Sequence, residues 1–323
     1  MDALSDLLQT IRLHTSTYFC SDFNTAWAMR IPTDGNGMFH TLIHGQCWLE
    51  MESLPAPILL NPGDIVAFPT GGAHQISSRL DQAPLPAHEV VNGILSGQNP
   101  FYREPHESRQ SAEPCVDKNT TTDWATLMCG AFAYDSSMDH PFIRDLPCFI
   151  HIKAADTPEL DWLRSLVQVV SVESRRQDPG ASVVVDRLTE VLFIQLLRVH
   201  MQTHTDKNSY LQALHDPKIG KALNLIHTDC KAELNVDTLA QASALSRSAF
   251  SERFARLVGE PPKSYLQRWR FEHAKRALNE GRSTILTIAL DSGYSSEAAF
   301  SKAFKQHFGM APGAYRKQGS SSA

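Results

Sequence analysis

The chain has 323 residues, 42% of them hydrophobic, with 30 Lys plus Arg against 35 Asp plus Glu. That length suits two domains, and that composition excludes a disordered or collagen-like chain. No apolar run reaches the ~18 residues a membrane span needs, and the start, Met1-Asp-Ala-Leu-Ser-Asp6, has no basic or apolar signal region, so a cytoplasmic protein is expected.

The charge is uneven. Residues 211–323 carry 16 basic against 10 acidic side chains, a net of +6, while residues 1–210 carry 14 against 25, a net of −11. A basic C-terminal part suits a polyanion, and the acidic part should stay off DNA. Six cysteines occur with no Cys-x-x-Cys pair, which speaks against a zinc knuckle, and a cytosolic chain of this size needs no disulfides.

In chain order, residues 4–12 suit a short helix and residues 27–31 a strand. Residues 39–44, 46–51, 58–60 and 65–68 read as short strands. Turns at Asn61-Pro-Gly-Asp64 and Pro69-Thr-Gly-Gly72 punctuate them, proline fixing its backbone angle and glycine permitting a left-handed one. This spacing predicts a small antiparallel barrel or jelly roll. Residues 90–95 are a short apolar stretch, residues 106–122 a mobile loop, and strands at 126–133 and 148–152 close the barrel. Helices are expected at 161–173 and 181–201. The second has an apolar stripe of Val184, Leu188, Val191, Leu192, Leu196 and Val199, widened by Ile194 and Leu197. That stripe suits packing on the barrel or a homodimer seam. Residues 203–210 are a polar linker, and Asp216-Pro217 caps the next helix.

The last stretch repeats itself. At an offset of 50, eight of the twenty positions 246–265 recur: Ser246, Ala249, Phe250, Ser251, Phe254, Gly259, Pro262 and Tyr265 match Ser296, Ala299, Phe300, Ser301, Phe304, Gly309, Pro312 and Tyr315. Each copy has a serine N-cap, a phenylalanine pair four residues apart on one face, and a glycine stop. A second short amphipathic segment precedes each, at 239–245 and 288–294, and the turn is one residue longer in the second copy. Each unit is therefore helix, turn, helix, joined by a helix over 262–278. Such a pair can place two reading helices about one DNA turn, roughly 34 Å, apart.

These residues, with Leu239-Ala240, Gly259-Glu-Pro-Pro262, Trp269-Arg270, Ile288-Ala289, Gly293-Tyr-Ser295 and Phe308-Gly309, resemble the AraC/XylS family DNA-binding domain. Upstream, Gly63-x5-Pro69-x-Gly71-x2-His74 resembles the second motif of the cupin barrel. The block from Phe39 through Gly45 to His74 is similar to the cupin sensor of one branch of that family, some of whose members respond to reactive chlorine or other oxidants through cysteine. The resemblance implies an α+β protein with a cupin-like sensor barrel (1–155), a helical pair (156–202), a linker (203–215) and an all-α double helix-turn-helix domain (216–318). It implies double-stranded promoter DNA, RNA polymerase and a small-molecule or oxidant effector as partners. A cupin enzyme or metabolite-binding protein fused to a DNA anchor is the alternative.

With each phenylalanine pair facing inward, Arg247, Ser248, Ser251, Glu252 and Ala255 turn outward on the first reading helix. Glu297, Ala298, Ser301, Lys302 and Lys305 do so on the second. Glu accepts from cytosine N4, Ser serves several bases, Lys reaches guanine or phosphate, and Ala touches only a thymine methyl. These positions match the family's contacting positions. In the barrel, His40 and His44 share strand parity and His74 is placed to meet them. Three inward imidazoles suit zinc or, more often, a ligand pocket or core hydrogen bonds. The usual cupin metal set is missing, residues 31–37 standing where an HxH pair belongs, so no metal and no cofactor is expected. Spacing assembles no catalytic constellation. Cys20, in a weakly structured stretch, and Cys47, beside Trp48, are the cysteines weighed as redox switches, each against a structural role.

Overall fold

Short apolar strands cannot bury their side chains alone, so they stack as two sheets. In the computed structural model, residues 2–11, 14–33, 35–103, 124–134, 140–154, 161–176, 178–203, 209–228 and 234–319 are described. The strands are β1 (His14–Phe23), β2 (Ala28–Ile31), β3 (Gly37–His44), β4 (Cys47–Glu50), β5 (Ile58–Leu60), β6 (Ile65–Phe68), β7 (His74–Ser77), β8 (Leu85–Pro86), β9 (Ala125–Ala133) and β10 (Ile150–Ile152). They pair as β1-β9-β3-β6-β10 and β5-β4-β7-β2-β8. The pairing is antiparallel except between β2 and β8. The core between the sheets holds Phe23, Trp27, Leu42, Leu49, Phe68 and Ile76, all buried, with the Phe23 and Trp27 rings stacked at 4.9 Å. Gly130 is required on β9, because a Cβ there would fall 2.3 Å from the Phe39 ring.

Contact divides the chain into two units whose membership does not follow chain order. One is Leu13–Tyr134 with Leu146–Thr203; the other is Met1–Arg12 with Asp135–Asp145 and His204–Ala323. The first and the tenth-strand approaches of the chain are therefore lent to the C-terminal unit. Besides the sheets, the barrel unit holds α2 (Ala87–Leu95), α4 (Asp161–Ser174) and α5 (Ala181–Thr203). Helix α2 stands where sequence showed only a short apolar stretch, and the loop expected at 106–122 lies outside the described residues. Helix α5 buries Leu192, Phe193, Leu196 and Leu197, with Phe193 ring-to-ring with Phe132 of β9 at 4.2 Å. Val184 and Val191 of the expected stripe face solvent instead. Phe193 and Leu197 take the sheet side, which turns those valines away.

The other unit comprises α1 (Ala3–Thr10), α3 (Pro141–Arg144), α6 (Tyr210–His215), α7 (Ile219–Thr228), α8 (Val236–Ala242), α9 (Arg247–Val258), α10 (Pro262–Glu280), α11 (Ile285–Asp291), α12 (Glu297–Phe308) and α13 (Pro312–Gly319). Helix α6 occupies the end of the expected 203–215 linker, its Tyr210 fully buried. Asp216 caps α7 through the Lys218 and Ile219 N–H groups at 3.0 and 2.9 Å, and also pairs with Arg253 of α9. This fixes the first reading helix against the start of the unit.

Candidate DNA interface and sensor site

The reading helices are built locally. Ser246 accepts from the Ala249 N–H and Ser296 from the Ala299 N–H, at 3.3 and 3.2 Å. Gly259 and Gly309 close α9 and α12 in the left-handed conformation, at φ 81° and 77°. Phe250, Phe254, Phe300 and Phe304 are fully buried. That anchoring leaves Arg247, Ser248 and Glu252 exposed on α9 and Glu297, Ala298, Lys302 and Lys305 exposed on α12, with Ser251 and Ser301 half-buried beside them. Arg247 pairs with Asp237 of α8 at 3.2 Å. Both groups are well exposed, so the pair orients the guanidinium more than it stabilises the fold. Helix α10 joins the two helix-turn-helix copies with 19 residues, a rod of roughly 28 Å at ~1.5 Å per residue.

In the barrel the structure brings together His40, His74 and a residue that sequence reading missed, Cys129. His40 of β3 stands opposite Cys129 of β9 in the strand register. His40 Nδ1 lies 2.7 Å from Cys129 Sγ, His40 Nε2 2.8 Å from His74 Nε2, and His74 Nδ1 2.7 Å from the Gly72 carbonyl. Hydrogen-bond accounting fixes the tautomers. A carbonyl only accepts, so His74 Nδ1–H donates to Gly72 and its Nε2 accepts from His40 Nε2–H. His40 Nδ1 is then an acceptor, and the Cys129 S–H donates to it. Burial is consistent with this neutral chain. It lowers His74 to about 4 and His40 well below the usual imidazole value, the neighbouring His74 adding to the latter. It also raises the Cys129 thiol, with Cys47 and Cys20 adding to the effect. The Phe68 ring stacks on His74 at 3.6 Å.

Two of the expected site residues sit differently. His44 is exposed and outside this group, because the β3–β9 register shifts between Leu42 and His44 and so breaks the parity assumed from spacing. Cys20 is not in a loosely structured stretch but in the middle of β1, half-buried, with Sγ 3.2 Å from Ser171 Oγ of α4. Arg175 stands beside it and pairs with Asp22 at 3.2 Å. Cys47 is fully buried and burial, with Asp64 adding, pushes its thiol up, which keeps it inert. Cys129 had no local signature; only its pairing with β3 reveals it.

Comparison with known proteins agrees with this architecture. Residues 2–202 match the cupin family, and residues 239–318 match the helix-turn-helix domain family. A Streptomyces lividans protein described as an AraC-like transcription regulator is 30% identical over 318 residues, covering 98% of both chains. The HTH-type transcriptional regulator AlkR of Acinetobacter baylyi is 30% identical over 320 residues, covering 98% of this chain and 100% of its own. The RCS-specific HTH-type transcriptional activator RclR of Escherichia coli K12 is 26% identical over 252 residues, covering 76% of this chain and 84% of its own. The chain is a cupin-fronted helix-turn-helix protein. It belongs to the AraC-type transcriptional regulators.

Proposed function

We propose that this regulator reads promoter DNA with α9 and α12, and that a small-molecule or oxidant signal at the barrel unit controls it without catalysis. The observation that supports the reading is the double exposure on α9 and α12: each buries a phenylalanine pair and turns a short polar set outward. Arg247 and Lys305 serve phosphates, Ser248, Ser251, Ser301 and Lys302 reach base edges or backbone, Glu252 and Glu297 accept from base-edge amino groups, and Ala298 meets a thymine methyl. With few bidentate readers, DNA shape supplies much of the specificity. RNA polymerase is the partner on which such a regulator acts. A second copy is the partner suited to the exposed Val169 and Val172 of α4 and Val184 and Val191 of α5. Among the described residues no helix is long and apolar enough to cross a membrane, and we place the protein in the cytoplasm with its DNA.

For the oxidant signal, the candidate is Cys20, half-buried and set beside Arg175 and Ser171. For a small molecule, the barrel unit has a cavity of about 770 Å³ with apolar walls from Leu42, Ile58 and Val167 and polar groups from Lys153, Arg164 and Gln168. Its size fits a drug-sized ligand. Full-length protein is footprinted on DNA selected from random sequence, across a salt series and with and without hypochlorite. Two protected major grooves on one face and affinity falling steeply with salt are expected. Cys20→Ser should blunt the hypochlorite response. Salt-independent binding sinks the DNA reading. A response that survives replacement of all six cysteines sinks the thiol reading and leaves the cavity.

A further inference from the structure

Helix α10 is held at its N-terminal half by a buried polar chain that draws on four other segments. Tyr265 Oη lies 2.6 Å from Tyr210 Oη, 2.8 Å from His227 Nε2 and 3.1 Å from His140 Nε2. His227 Nδ1 lies 3.2 Å from Asp6 Oδ2 on α1, and the Phe142 N–H donates to His140 Nδ1 at 3.1 Å. Tyr210 Oη also lies 3.3 Å from His227 Nε2, and the shorter Tyr265 contact to that nitrogen selects the proton arrangement. The Asp6 carboxylate accepts from His227 Nδ1–H, so His227 Nε2 accepts from the Tyr265 O–H. Tyr265 oxygen then accepts from the Tyr210 O–H and from His140 Nε2–H. Trp269, one turn along α10, packs on His227 with ring centroids 4.0 Å apart.

Two of these contributors come from chain that brackets the barrel. Helix α1 immediately precedes β1, and His140 follows β9. The start of β1 and the end of β9 are register partners, His14 opposite Ala133, so both segments leave the sheet at one corner. The same ladder carries Cys20 on β1 and Cys129 on β9. Helix α1 has eight residues, too few to persist as a helix without its docking site. It is also held by the Ala3 N–H donating to Asn224 Oδ1 at 2.7 Å and by the burial of Leu7, Leu8 and Ile11. Lifting α1 removes the acceptor of His227 in a buried site, so docking is close to all-or-none. With α1 docked, Arg247, Ser248, Glu252, Lys302 and Lys305 remain exposed. The docked segment orders α10; it does not mask the reading face.

We propose that α1 and the His140 turn form a detachable clamp on α10, that the clamped form is the DNA-binding form, and that the β1–β9 ladder controls the clamp. The last element rests on the barrel unit being the sensor; the first two do not. The test uses full-length wild type, Asp6→Ala, the conservative Asp6→Asn, and Asn224→Ala as a milder variant whose exposed position spares the core. Hydrogen exchange is read in α1 and α10, and affinity on DNA selected by the wild type. Asp6→Ala and Asn224→Ala should speed exchange in both helices and weaken DNA binding about tenfold, within the range of ordinary site-to-site coupling. Asp6→Asn, which keeps an acceptor for His227, should restore most of both. Faster exchange in α1 with DNA affinity unchanged overturns the clamp. In wild type treated with hypochlorite, exchange in α1 should change in step with affinity. Affinity that responds while α1 does not overturns the control by the ladder and leaves the sensor reading standing. If neither responds, the ladder has no oxidant role and the oxidant reading falls, while the variants alone decide the clamp.

Discussion

The two helix-turn-helix units share a sequence but not a setting. In the first, the helix that follows the reading helix is α10, and its Tyr265 sits fully buried at the centre of a polar chain reaching α1, α6, α7 and the His140 turn. In the second, the corresponding helix is α13, and the matching Tyr315 is half-buried against Phe304 and Phe308 at 5.8 and 6.2 Å. The first unit also has Asp216 tied to Arg253, while the second rests on an aromatic cluster of Phe271, Phe300, Phe304 and Phe308. A repeat therefore conserves the local device, capped helix and phenylalanine pair, while the surroundings decide which copy is connected to the rest of the chain. The first copy is the connected one and the second the peripheral one.

The largest effect should come from breaking the geometry that both copies share. Five base pairs inserted between the half-sites turn one groove about half a turn away while α10 stays rigid, so joint binding should be lost. Footprints on spaced sites check this; indifference to the insertion means one copy is only structural. Next, Phe254→Ala and Phe304→Ala should each cost about 3–5 kcal/mol of stability, with the second at the low end because half-exposed Phe308 can relax into the space. Denaturant unfolding of the full chain reads both. A larger loss at Phe304 would reverse the ranking of the two copies.

Acid should separate them too. Burial holds His140 and His227 below their usual range, with nearby cations lowering His140 further and Asp6 partly offsetting the shift at His227. An unfolded chain takes up these protons below a pH of about 6.5, and the folded chain does so only at lower pH. Stability from this chain is thus present above that value and lost as pH falls towards the folded values. Exchange in α10 should rise between neutral and mildly acidic pH before exchange in α12 does. A simultaneous rise would mean that the polar chain does not distinguish the copies.

For base reading, Glu252→Ala should relax preference in one half-site by about 1–3 kcal/mol and Lys302→Ala should weaken the other by less, if Lys302 serves a phosphate. The losses should add, the sites being roughly a helical turn apart. Binding to mismatched half-sites distinguishes the two cases; an equal loss on every sequence makes Lys302 a backbone contact, and for Glu252 it removes the base-reading role.

What was legible in the sequence follows the same division between local and remote. Serine caps, glycine stops and the phenylalanine spacing depend on neighbours within one helix, and they stand where the sequence placed them. Most of the barrel's strands and its two apolar helices were likewise legible, but β1, β7, β8 and α2 were not. His44 was misplaced because a bulge belongs to a pair of strands, not to one. Cys129 was missed because its partner, His40, is 89 positions away. The place of α1 was missed because Asp6 and His227, 221 positions apart, share no periodicity that a sequence window can detect.

The smallest expected effect lies in the turns, where the copies differ by one residue. Both turns begin alike: Ser243 and Ser292 bond back to the Leu239 and Ile288 carbonyls at 2.8 and 2.7 Å. Leu245 and Tyr294 N–H groups then reach the Ala240 and Ala289 carbonyls at 3.0 and 2.9 Å. The residue between is left-handed in both, but it is Ala244 at φ 51° in the first and Gly293 at φ 83° in the second. The first copy thus carries a Cβ where only glycine is free of a steric cost of roughly 1–2 kcal/mol. Glycine in turn loses more freedom on folding, by about 0.5–1 kcal/mol. Ala244→Gly should therefore stabilise the first copy by a few tenths to about 1 kcal/mol, and Gly293→Ala should destabilise the second by about the same amount. Both positions are exposed, so packing should not intrude. The measurement is the denaturant midpoint at constant slope. If Ala244→Gly loses stability, the alanine methyl or the stiffer unfolded chain outweighs the left-handed cost, and the first turn is held by its setting rather than by its own residues.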